Sequence, residues 1–112
     1  MSSPEFKENP LYHLLREGHV TEFNQRRAMG DACDLHGSDL RHLDLRGLDT
    51  QGLDLGDTHL RQTDLRGLDL RMVNMEGASI NGAKISGTYF PVGLSAEEIG
   101  LSLLHGTRMR YR

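Results

Sequence analysis

The chain has 112 residues, a net charge of -3, 37% hydrophobic residues, three Phe, three Tyr and no Trp. That is enough for one modest core in a single folding unit, and too acidic and too poor in aromatic residues for direct nucleic-acid binding to be expected. The longest apolar runs are only a few residues, so neither a signal peptide nor a membrane span is expected, and the single Cys33 excludes an internal disulfide. A reducing, cytoplasmic setting is the natural inference.

The N-terminal segment, residues 1–31, reads as a helical cap. Asn9-Pro10 offers an N-cap followed by proline at the first helical position, then Leu11, Leu14 and Leu15, with Gly18 as a stop. A second short helix is expected from Thr21 to Met29, closed by Gly30.

Residues 32–93 carry the dominant signal. From Cys33 to Val92 the chain divides into twelve consecutive pentads, CDLHG, SDLRH, LDLRG and so on to TYFPV. The third residue is apolar in every pentad except at Thr50, the second is Asp in seven, and the fifth is Gly in seven. Side-chain periods of about 3.6 and 2 satisfy neither an α-helix nor a flat strand at this spacing. The pattern is explained if the first and third residues point inward, the second points outward, and the fourth and fifth turn a corner. Glycine at the fifth position suits positive φ, and Asp at the second can accept from backbone donors at the corner.

These pentads resemble the pentapeptide-repeat family, whose motif is roughly Ala-(Asp/Asn)-Leu-x-x. Leu43, Leu48, Leu53 and Leu68 depart from the small first residue of that motif, offset by small residues such as Ser38, Thr58 and Ala78. The resemblance implies an all-β solenoid: a right-handed quadrilateral β-helix of about three coils, four pentads to a coil, with short α-helical caps at both ends. At about 4.8 Å per rung the repeat body would be about 15 Å tall.

Residues 94–112 read as a C-terminal capping helix with a basic tail. Ser95 and Glu98 form a capping-box pattern ahead of Ile99, Leu103 and Leu104, and Gly106 closes the helix. The stretches from Asn9 to Gly18 and from Ser95 to Arg108 resemble the ends of short proteobacterial-type members of the family, a likeness that brings no assigned activity.

No catalytic, cofactor-binding or metal-binding residues are assigned. The six histidines lack ligand spacing, the repeat aspartates recur as corner residues, and the glycines fall on corners and not in a phosphate-binding loop. Cys33 is expected to be buried and inert. Function is therefore sought on the surface. Arg41, Arg46, Arg61, Arg66 and Arg71 form the candidate protein-binding columns, for a partner the sequence does not name. Leu101, Leu104, Arg108 and Arg110 form a candidate homodimer contact at the C-terminal end. The expected role is a non-enzymatic protein-interaction or scaffolding module. The family resemblance also raises an alternative, mimicry of DNA to modulate gyrase or topoisomerase. It fits poorly here: three coils span only about four to five base pairs, and Cys33 to Met72 holds eight aspartates against five arginines.

Overall fold

The computed structural model describes residues 8–112; residues 1–7 of the expected N-terminal cap lie outside the described residues. Among the described residues three short helices flank the repeats: α1 Pro10–Arg16, α2 Val20–Ala28 and α3 Ala96–His105. Asn9 Oδ1 accepts from Leu11 N, so the N-cap and the following proline start α1 as the sequence suggests. Helix α2 begins one residue before the expected Thr21.

The expectation of an all-β fold is corrected. Among the described residues there is no strand and no sheet, and the repeats carry only six isolated parallel bridges, each pairing single residues twenty apart, such as Asp39 with His59 and His59 with Ser79. The physical reason lies in the pentad itself. A corner every five residues leaves only about two or three residues of extended backbone per side, fewer than an ordinary strand contains. The repeat body is better described as a stack of turns.

Those turns recur with a fixed chemistry. The carbonyl of the third residue accepts from the N–H three residues on, as in Ser38 N to Leu35 O and Leu68 N to Leu65 O, both near 3.1–3.2 Å. The fifth residue has positive φ at seven glycines, and also at His42, Asp57 and Gln62, with φ between 55° and 64°. Coils 33–52, 53–72 and 73–92 stack through bonds such as Leu40 N to His59 O and His59 N to Ser38 O. Four sides result: the first holds 33–37, 53–57 and 73–77, the second 38–42, 58–62 and 78–82, the third 43–47, 63–67 and 83–87, and the fourth 48–52, 68–72 and 88–92.

First and third residues fill the interior: Leu40, Leu45, Leu55, Leu60, Leu65, Leu70, Met75 and Ile80 are all fully buried. The buried hydroxyls are all satisfied, Ser38 and Thr58 each donating to the carbonyl three residues back and Thr63 donating to Leu40 O in the preceding coil. The two ends of the stack differ in polarity. The lower edge presents mainly carbonyls and is met by donors: Tyr12 Oη to Asp39 O at 2.7 Å, Arg16 to Arg41 O, Asn24 to Gly47 O and Arg27 to Gln51 O. The upper edge presents mainly N–H groups and is met by acceptors: Ser102 Oγ from Ile80 N, Leu103 O from Gly82 N, Met109 O from Gly77 N and Tyr111 Oη from Met75 N.

At α3 the capping box is half made. Ser95 Oγ accepts from Glu98 N at 3.1 Å, but the Glu98 carboxylate accepts from Arg110 N at 2.8 Å. Glu98 thus fastens the tail instead of closing the cap. Gly106 ends the helix at φ 72°.

Candidate functional site

The surface is organised by one local device. All seven second-position aspartates, and Asn74, accept from the N–H two residues on, as in Arg46 N to Asp44 Oδ1 at 3.1 Å. This Asx turn brings the fourth side chain beside the carboxylate. Where that residue is arginine, Nε and Nη2 engage both carboxylate oxygens: Arg41 with Asp39, Arg46 with Asp44, Arg66 with Asp64 and Arg71 with Asp69, each at 2.9 and 2.7 Å. The Arg66 and Arg71 guanidiniums hold Asp64 and Asp69 at about 2. Burial tends to raise Asp39, but Arg41 overrides it and holds that carboxyl below its usual range.

The candidate arginine columns are therefore clamped within their own pentads. Arg46 also reaches across to Asp64 in the next coil at 3.3 Å, which laces the third side. The Asp-x-Arg spacing was the available signal for these clamps. Arg61 stands apart, because His59 occupies the place of the aspartate two residues back, and it makes no ion pair among the described residues.

On the first side His36 lies between two carboxylates, Nδ1 to Asp54 and Nε2 to Asp57, both at 3.2 Å. The hydrogen bond to Asp54 raises the imidazole above its ordinary value. Cys33 is partly exposed, not buried as expected, and desolvation pushes its thiol up to about 11.

Of the candidate dimer residues, Leu101 and Leu104 on α3 are 47% and 75% exposed. Arg108 faces its own chain's Asp57 at 3.7 Å, and the tail between Arg108 and Arg110 is anchored by the fully buried Met109.

On the fourth side the sequence reading singled out Arg71 alone. There Met72 and Val92 occupy fifth positions without positive φ and are 93% and 89% exposed. They line one groove of about 410 Å3 with Pro91 and Tyr111, and Met72 also borders a second groove of about 230 Å3 with Thr50 and Gln51. Tyr89 is 60% exposed, and the Arg71 guanidinium lies 5.1 Å from its ring centroid. The available signal was an apolar residue where glycine otherwise recurs.

Among the described residues no group of His, Cys, Asp and Glu side chains is arranged to hold a metal ion, and no helix is long and apolar enough to cross a membrane. Residues 51–90 match a family model described as pentapeptide repeats, in eight copies. No curated protein and no solved structure matches the chain.

Proposed function

We propose, from the match of residues 51–90 to the pentapeptide-repeat family, that the chain acts as a non-enzymatic protein-docking module whose contact surface is its fourth side. The observation that carries this reading is the exposed cluster of Met72, Val92 and Tyr89 beside Arg71. Methionine and tyrosine are among the residue types enriched where proteins meet, and apolar side chains this exposed lower the free energy when a partner covers them. The arginine columns support a lesser role, since a guanidinium already held bidentately by Asp39, Asp44, Asp64 or Asp69 must give up that partner to engage another.

The same clamps speak against DNA mimicry. Regular negative columns are needed to imitate two phosphate backbones, whereas here the second, third and fourth sides neutralise aspartates with arginines two residues away.

Affinity capture from the source lysate, comparing the parent with a Met72→Asp, Val92→Asp double variant, tests the docking reading. Both positions are exposed, so the melting temperature should be nearly unchanged. A partner held through this patch should weaken by about 2 kcal/mol or more, roughly thirtyfold, and drop out of the captured set. Identical sets from parent and variant would refute the reading.

A further inference from the structure

On the second side the repeat departs from itself at one residue, and three features coincide there. Asp39 is bridged in the next coil to His59, so Asp-x-Arg becomes His-x-Arg and Arg61 is left without the clamp that Arg41, Arg46, Arg66 and Arg71 possess. His59 Nε2 is shut off from solvent and has no hydrogen-bond partner. A cleft of about 290 Å3 opens at the same place, walled by Arg41, His59, Arg61, Ser79, Asn81 and His105. A buried nitrogen without a partner carries a desolvation cost, which an added hydrogen-bond partner or compensating charge would relieve.

The surrounding charge points to the sign of that ligand. Three guanidiniums, Arg41, Arg61 and Arg108, and two carboxylates, Asp39 and Asp57, act in this neighbourhood. Both carboxylates are already engaged, Asp39 by Arg41 and Asp57 by Arg108 and His36. The excess is positive, and Arg61 presents its planar fork of donors unopposed.

We propose that this cleft binds a phosphate group, with the Arg61 guanidinium as the principal donor and the His59 imidazole as the wall that gains from the added negative charge. The site lies two pentads around the coil from the fourth-side patch, so it stands or falls independently of the docking reading. In the free protein, burial and the charges of Arg108 and Arg41 hold His59 below its ordinary value. A bound anion opposes those guanidiniums, so the imidazole should gain protons as the cleft fills.

Inorganic phosphate is the probe. The full chain is titrated with it at about pH 7 and constant ionic strength, balanced with sodium chloride, while the histidine ring nitrogens are followed by NMR and the heat by calorimetry. The expected result is a saturable shift of the His59 ring resonances, with those of His13 and His19 unmoved. Arg61→Gln should weaken binding at least about tenfold. His59→Asp restores the Asp-x-Arg spacing, should clamp Arg61, and should abolish the shift of calorimetric heat while the protein remains folded. Sodium acetate forms the second arm: binding as tight as that of phosphate would overturn the assignment to phosphate. Absence of a saturable phosphate effect, or equal affinity of a folded Arg61→Gln protein, would overturn the site.

Discussion

Gly67→Ala and Gly77→Ala are the same substitution at equivalent corners, with φ of 76° and 82°, yet they should differ in cost. At position 67 an added methyl meets nothing within 4 Å. Only the left-handed backbone resists it, at about 1–2 kcal/mol, partly offset by about 0.4–1 kcal/mol because alanine narrows the unfolded ensemble. The net is roughly 1 kcal/mol. At position 77 the same methyl would lie 1.9 Å from Asp57 Oδ1. The Asp57 carboxylate must swing away, leaving His36 at 3.2 Å and Arg108 at 3.7 Å. These exposed pairs are worth about 0–1 kcal/mol each, so Gly77→Ala should cost roughly 1 kcal/mol, and at most about 2 kcal/mol, more than Gly67→Ala. Urea melts of both variants measure the difference, and adding Asp57→Ala to each completes a double-mutant cycle in which it should vanish. Equal costs for the two single variants, or a difference that survives removal of Asp57, would refute the reasoning.

Two further outcomes are expected. Leu65→Ala, at a fully buried side chain of the middle coil, should cost about 2–5 kcal/mol in a denaturant melt, and a loss below about 0.5 kcal/mol would contradict the stacking of coils. His36→Gln reports on pH: the folded imidazole is raised by its bond to Asp54, so its stabilisation is complete below the unfolded value of about 6.5 and is lost as pH rises through the folded value. The variant's deficit should therefore be larger at about pH 5.5 than at about pH 8.5, and a deficit that grows with pH would sink this account.

The corners and the helix caps could be read from residue type because each depends on a neighbour only a few positions away. Glycine at the fifth position, Asp at the second, Asn9, Ser95 and Gly106 all act within that range. His42, Asp57 and Gln62 adopt the same positive φ without being glycine; there the stack imposes the corner on a residue that does not favour it. The absence of strands was hidden because an in-out-in triplet looks the same whether two residues or six follow it in extended form. Tail docking left no local trace at all. Arg108 to Arg112 reads as a solvated basic run, yet Met109 is buried and exchanges backbone bonds with Gly77 and Ala78. The pairing answers to the donor-rich upper edge some thirty residues earlier in the chain, and the tail's own composition is silent on it.

The positions that break the pentad pattern carry most of what distinguishes this surface. A repeat that satisfies its own corners, with Asp receiving an N–H and Arg closing on Asp, spends its polar groups internally and leaves little to offer a partner. Replacing one member of the set releases the other. His59 in place of Asp frees Arg61, while Met72 and Val92 in place of glycine turn a corner into an exposed apolar ridge. Neither change disturbs the inward first and third residues, so the core at Leu60, Leu65 and Leu70 stays fully buried beneath both. Substitution at second, fourth and fifth positions can thus alter recognition with little effect on stability, whereas the same freedom at first and third positions would empty the core.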